Sequence, residues 1–296
     1  MTAEVQPATV FDRIKVFLEM IKFSHTLFAL PFALTGALLA VRGLPSAGQI
    51  LWILLAMIGA RTAAMGLNRL IDAEIDAQNP RTATRAIPAG LLSKGNVALF
   101  ILISIMLLLY AAYRLNPLCL MLSPVALFFL VLYSYCKRFT ALAHIVLGIC
   151  LAGAPIGAWI AIRGEVSLLP LLLGAAVMFW VAGFDILYAL QDLEFDKQAG
   201  LHSIPVKLGV TGSLWLARIF SLVMIALLIW LCVIESLGFA FICGIVAVSL
   251  LLTYEHWLLR DGGLSRLDLA FFTMNGYVSI IIFVATAVEI FISGGP

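Results

Sequence analysis

Apolar runs of about twenty residues, separated by short polar segments, recur along the whole chain, and a run of that length crosses a bilayer as a helix. Nine spans are predicted, at about 22–41, 50–71, 96–113, 118–136, 142–162, 168–190, 213–234, 237–257 and 268–291. Ahead of them, residues 1–20 begin polar and lead into the amphipathic stretch FDRIKVFLEMIKF, read as an interfacial helix feeding the first span. Most connections are short and punctuated by Gly or Pro (RGLPSAG, RLNP, RDGG). Two are long and polar: 72–95 after the second span, and 192–212 after the sixth. Pro31, Pro124 and Pro155 fall inside spans and are expected to kink helices.

Composition agrees. Hydrophobic residues make up 63% of the 296 and charged ones 11%, where a soluble domain carries about 25% charged residues. Mean hydropathy is +1.11. The expected class is therefore an all-α polytopic membrane protein, one domain over 1–296, with the lipid bilayer as its solvent. A net charge of +2 and the lack of a basic run exclude nucleic acid as a partner, and no obligate protein partner is evident. The five cysteines (Cys119, Cys136, Cys150, Cys232, Cys243) stand singly in or beside apolar runs and read as small core hydrophobes. No cleavable signal peptide is expected, because the first apolar run is too long for one.

Charge bias sets an orientation. With the N-terminus cytoplasmic, thirteen Lys and Arg face inside, among them Arg13, Lys15, Lys22, Lys94, Lys197, Lys207, Arg260 and Arg266. Arg42, Arg114 and Arg163 face outside. Both long polar segments are thus expected on the cytoplasmic side.

The first of these segments begins with NRLIDAEIDAQNPRTATRAIPAG, residues 68–90. Asn68, Asp72 and Asp76 are four apart, so on one helix they would form a stripe about 80° wide, stepping roughly 6 Å per interval. Two carboxylates and an amide oxygen are the ligand type that Mg²⁺ accepts, with positions left for water and phosphate. Arg69, Arg81 and Arg85 supply cationic donors suited to phosphate. The pattern returns at the end of the sixth span, where Tyr188, Asp192 and Asp196 repeat the spacing, giving ladders at 68–76 and 188–196. Each is followed by a polar stretch and an Ile-Pro pair (Ile87-Pro88, Ile204-Pro205). Seven of the 16 acidic residues fall within Asp72–Asp76 and Asp185–Asp196, a cluster that would repel itself unless cations neutralise it. A single DxxxD at a helix end reads as a solvated rim. Two at matched topological positions read as facing ladders around one diphosphate, suited to two Mg²⁺ ions.

These paired motifs, NRLIDAEID with YALQDLEFD and RTATRAIPAG after the first, resemble the UbiA superfamily of intramembrane aromatic prenyltransferases, along essentially the whole chain. The resemblance implies a nine-helix bundle with a central cavity capped on the cytoplasmic side, in a bacterial inner membrane. It implies Mg²⁺-dependent transfer of a polyprenyl group from polyprenyl diphosphate to a small aromatic carboxylate. Carried over by position, Asn68, Asp72 and Asp76 match the first motif and Asp192 and Asp196 the second, as metal ligands. YSYCKRFT is similar to the family's Lys-Arg loop, which makes Lys137 a candidate diphosphate ligand; Arg138, read on its own, is a holder of the acceptor carboxylate or a plain positive-inside anchor. Arg69 is a departure, since many relatives have Asp there. Within the superfamily the sequence looks most like 4-hydroxybenzoate polyprenyltransferases of ubiquinone-type biosynthesis. Relatives acting on a dihydroxynaphthoate in menaquinone biosynthesis share the same features.

The chemistry suits the residues. Cations at the diphosphate stabilise its departure, and an allylic cation needs a dry, electron-rich wall. Tyr188, one turn deeper than Asp192, is expected to face that cation. Asp185, on the same stripe about 10 Å deeper, is read as proton acceptor or cation stabiliser, or else as the ion-pair partner of Arg61. His25 is a candidate acceptor contact or a helix-packing histidine. Glu255 and His256 are read as interfacial, Glu289 as reaching out to the membrane surface, and the six tryptophans as belt and core residues. A cation-coupled transporter is the alternative from another class, because acids in spans also mark ion pathways.

Overall fold

The computed structural model describes residues 9–21, 29–259 and 274–292. Lys22, His25, Arg260 and Arg266 lie outside them. Every regular element among the described residues is helical: α1 (Val10–Met20), α2 (Leu30–Val41), α3 (Ala47–Ile71), α4 (Ala73–Gln78), α5 (Lys94–Leu115), α6 (Pro117–Cys136), α7 (Ala143–Arg163), α8 (Leu168–Ala189), α9 (Leu193–Gln198), α10 (Ile204–Ile234), α11 (Phe239–Leu258) and α12 (Asn275–Ile292). Eight are long and apolar enough to cross a membrane: α3, α5, α6, α7, α8 with its short continuation, α10, α11 and α12. The first expected span is described only as α2, whose 12 residues fall short of the roughly 20 a crossing needs.

The two polar segments are not loops throughout. Each opens with a six-residue helix, α4 or α9. The second then runs directly into α10, which starts at Ile204 rather than near 213 and is broken at Gly209 (φ 67°, ψ −176°). Ser203 caps its first turn and Pro205 sits there, where a missing amide costs nothing. Pro31 lies in the first turn of α2, and residues 22–28 of its expected span lie outside the described residues. Pro124 and Pro155 are interior to α6 and α7.

The interior is organised around α8. Leu173, Val177, Trp180 and Val181 are fully buried, and Trp180 packs against Phe32 and Phe184 at 5.3 and 5.0 Å between ring centroids. Helix α7 lies close against α8 at Gly148, where a Cβ would come within 2.4 Å of the Met178 carbonyl oxygen. Small residues at such crossings are how membrane helices gain packing that the hydrophobic effect cannot supply in lipid. The outer surface carries Leu99, Leu102, Ile103, Met106, Leu222, Val233 and Leu250 exposed, as a lipid-facing surface requires. Helix α1 is capped by a reciprocal Thr9–Asp12 pair, and Phe17 stacks on Phe100 of α5 at 4.3 Å.

Polar residues near the ends of the last helices turn inward, against expectation. Glu289 is 8% exposed, and its Oε2 accepts from the amides of Ala240 (3.0 Å) and Phe241 (3.4 Å) at the start of α11. There a carboxylate meets the positive end of the helix dipole. Glu255 is buried and accepts from Asn275 Nδ2 at 3.4 Å, while Asn275 Oδ1 accepts from Trp180 Nε1 at 2.8 Å. His256 Nε2 lies 2.9 Å from Ser221 Oγ. Helix α11 is apolar almost all round, so its sequence does not mark which face is inside. All five cysteines are free; Cys136 and Cys232 are core residues, but Cys243 faces outward.

Candidate functional site

The two ladders do not lie on continuous helices. Each long helix ends just before its middle aspartate, and the chain restarts as a short helix beyond it. Asp72 (φ −88°, ψ 1°) joins α3 to α4, and Asp192 (φ −100°, ψ 3°) joins a one-turn 3₁₀ segment after α8 to α9. The matching break at matching residues supports the internal repeat. At the first joint helical hydrogen bonding continues on both sides, from Asp72 N to the Asn68 carbonyl (3.0 Å) and from Asp76 N to the Asp72 carbonyl (2.8 Å).

The carboxylates are gathered with basic side chains from three segments. Asp72, 2% exposed, accepts from Asn68 Nδ2 (3.0 Å) and Arg138 Nη1 (3.0 Å) and pairs with Lys137 Nζ (2.7 Å). Arg138 also donates to the carbonyls of Ile71 and Ser134, so the α6–α7 connection is fastened to the end of α3. Asp76 receives Arg85 Nη1 on both oxygens, at 2.7 and 2.8 Å. Asp192 is gripped by the first segment: Asn79 Nδ2 donates to Oδ1 (2.9 Å), Arg81 Nε donates to the same oxygen (2.8 Å), and Arg81 Nη2 donates to Oδ2. Burial works against the charge of Arg81, but its bonds with Asp192 outweigh that and hold its pKa above the ordinary value. The same guanidinium lies 5.5 Å over the Tyr188 ring and reaches its hydroxyl at 3.4 Å. The Tyr188 face is thus already a cation's seat. His202 N donates to the Lys137 carbonyl at 2.7 Å, tying the basic connection to the chain beyond α9.

Asp76, Asp72, Asp192, Arg81, Arg85, Lys137, Arg138 and Tyr188 therefore converge, while other expected residues take different positions. Arg69 is buried within α3 and directs Nη1 to Asn68 Oδ1 at 3.4 Å, leaving its Nε without a hydrogen bond. Asp196, half-buried on α9, stays with the gathered residues, beside Asp192 and Lys137 and hydrogen-bonded to Ser203. Asp185 does not pair with Arg61; its Oδ2 lies 2.7 Å from His144 Nδ1, and Arg61 Nε is buried without a hydrogen-bond partner. The sequence reading passed over Asn79 and His144. The Asn79-Pro80 pair reads only as a turn. His144 did carry a signal, as a titratable group in the first turn of an apolar span.

The donors fit Mg²⁺ in kind. Asn68, Asp72, Asp76, Asp192 and Asp196 offer only oxygen, the hard-cation ligand. Among the described residues, however, no three acidic, histidine or cysteine side chains converge as a ready metal site. Lys and Arg hold the carboxylates instead, and phosphate is the group for which such side chains would exchange partners.

The profile of the UbiA prenyltransferase family matches residues 29–277. A 4-hydroxybenzoate octaprenyltransferase of Francisella tularensis subsp. novicida (strain U112) is 30% identical over 259 residues, covering 86% of this chain and 89% of that protein. One from Tolumonas auensis is 28% identical over 249 residues, covering 83% and 85%. The apo structure of a UbiA homolog from Aeropyrum pernix K1 is similar at a TM-score of 0.82 and 33% identity, over 90% of this chain and 98% of that one. A UbiA homolog from Archaeoglobus fulgidus bound to DMAPP and Mg²⁺ shares the fold at a TM-score of 0.70 and 20% identity, over 93% and 99%.

Proposed function

This chain belongs to the UbiA prenyltransferase family, and we propose that it transfers a polyprenyl group from polyprenyl diphosphate to 4-hydroxybenzoate. The observation that carries this reading is the grip of Asn79 and Arg81 on Asp192, which unites the two acidic segments and their basic side chains in one place. The names of the Francisella and Tolumonas relatives support the acceptor. The ladder face is proposed to be cytoplasmic, in a bacterial inner membrane.

In this reading Asn68, Asp72, Asp76, Asp192 and Asp196 would hold Mg²⁺. When bound, that ion screens the diphosphate and stabilises it as a leaving group. Arg81, Arg85 and Lys137 move from carboxylate to diphosphate oxygens and orient it. The C–O bond to the prenyl C1 breaks, and the diphosphate keeps the electron pair. Tyr188 presents its ring face to the allylic cation. The acceptor ring carbon attacks C1, and Asp185 takes the proton that the ring then loses. Water has to be kept from the site, because it would otherwise capture the cation.

The test is product analysis by mass spectrometry. Full-length protein in detergent receives Mg²⁺, a polyprenyl diphosphate and either 4-hydroxybenzoate or a dihydroxynaphthoate, with EDTA controls. Mg²⁺-dependent prenylation of 4-hydroxybenzoate is expected. Prenylation of the dihydroxynaphthoate alone would replace the acceptor, and no product from folded protein would overturn the proposal.

A further inference from the structure

On the membrane face opposite the ladders, a cavity of about 420 Å³ opens between the start of α3 and the adjoining ends of α5, α6 and α7. Ser46, Gln49, Trp52, Arg114, Asn116 and Arg163 line it, and no carboxylate does. That absence matters on this face. Arg42 is paired with Glu235, and Glu289 is turned inward onto α11. Arg163 has a loose contact with Glu165, 3.8 Å from its Nε, and lies 5.9 Å over the Trp159 ring. Arg114 has no carboxylate partner among the described residues.

Arg114 is also held in place. Its guanidinium lies 4.5 Å over the Trp52 ring, its Nη1 reaches the Tyr110 hydroxyl at 3.3 Å, and Tyr110 meets Trp52 edge-on at 5.5 Å. An arginine that served only as an anchor would extend freely towards the headgroups. This one is fixed by an aromatic pair at the cavity wall. Asn116 secures another side, donating to the carbonyls of Ile160 and Ala161 at 2.7 and 3.3 Å and joining α6 to the end of α7. Two exposed arginines at one cavity, beside the ends of candidate spans, are suited to a phosphate group, and the volume is of ligand size.

We propose that this cavity binds a phosphate group, either the phosphodiester of an anionic phospholipid headgroup or free phosphate, independently of prenyl transfer at the ladders. The test is arginine modification by phenylglyoxal on the full-length protein in detergent, read by peptide mass spectrometry. Phosphatidylglycerol, phosphatidylcholine or inorganic phosphate is added, and Arg13 serves as control. Protection of Arg114 and Arg163 by phosphatidylglycerol, with Arg13 unchanged, is expected and assigns a lipid. Equal protection by inorganic phosphate also supports the site and assigns free phosphate. Protection by phosphatidylcholine as strong as by phosphatidylglycerol, or no protection by any addition, overturns it. In native mass spectrometry, Arg114→Gln with Arg163→Gln should weaken phosphatidylglycerol retention about tenfold, while KM for polyprenyl diphosphate stays unchanged. Undiminished retention overturns the site without touching the assignment of prenyl transfer.

Discussion

Asp185 Oδ2 lies 2.7 Å from Nδ1 of His144, so helices α8 and α7 share a carboxylate–imidazole contact below the two acidic breaks. His144 is 4% exposed and its Nε2 has no hydrogen-bond partner. If Asp185 takes the proton as proposed, the imidazole acts through it, holding one of its two oxygens. His144→Ala should lower kcat while KM for the prenyl diphosphate changes little, and His144→Asn should recover part of the loss by restoring a donor. A general base contributes about 10²–10⁴-fold, so Asp185→Asn should cost up to that much. If KM rose and kcat held in both His144 variants, the pair would belong to substrate binding instead.

Arg81 connects the two halves. Arg81→Ala takes from Asp192 a two-point partner and from Tyr188 its cation. The expected result is a rise in KM for the polyprenyl diphosphate, with Arg81→Lys intermediate because a lysine cannot reproduce the fork. Steady-state kinetics with varied diphosphate checks this. An unchanged KM would confine Arg81 to holding the structure together.

Asp72→Ala and Asp192→Ala should each abolish product. Asp72→Ala should also destabilise the fold, because it leaves Lys137 and Arg138 without their shared carboxylate, and breaking a buried pair costs about 3–5 kcal/mol. Asp192→Ala should destabilise less, since the Asp192 carboxylate is less buried than that of Asp72 (side chains 18% and 3% exposed). Thermal unfolding in detergent beside product analysis separates the two effects, and near-native turnover in either variant would end the two-segment mechanism.

Tyr188→Phe should retain most activity and Tyr188→Leu little, if the ring face is what stabilises the allylic cation. Equal losses would point to the hydroxyl that Arg81 touches. Turnover at saturating substrate distinguishes the outcomes.

Gly148→Ala should lower the melting temperature without a specific effect on substrate affinity. The added methyl meets the Met178 carbonyl oxygen, and overpacking typically costs about 1–3 kcal/mol. A melting temperature equal to that of the parent chain would mean that α7 and α8 can separate freely.

The helices and their order were legible because lipid imposes length and apolarity on every span, and α3, α5, α6, α7 and α8 follow the expected runs closely. The ladders were legible because two acids four apart, twice, at corresponding span ends, stand out against so little charge. The breaks at Asp72 and Asp192 were not legible: nothing in AEID or LEFD disfavours a continuous helix. The His144 contact was hidden too, because Arg61 and His144 are both isolated polar residues in apolar spans and only the α7–α8 packing chooses between them. Glu289 was read as reaching outward because span ends favour that. Its inward turn depends on the open space above Gly238, where a Cβ would lie 2.6 Å from Glu289 Oε1.

The backbone bond from His202 to the Lys137 carbonyl links the connection between α6 and α7 to the chain that leaves α9. Lys137 pairs with Asp72 in one repeat, and His202 follows Asp196 in the other. The link is backbone to backbone and needs no side chain. The lysine that neutralises Asp72 thus stands on a peptide anchored by the chain beyond Asp196, so the two acidic segments share one backbone tether.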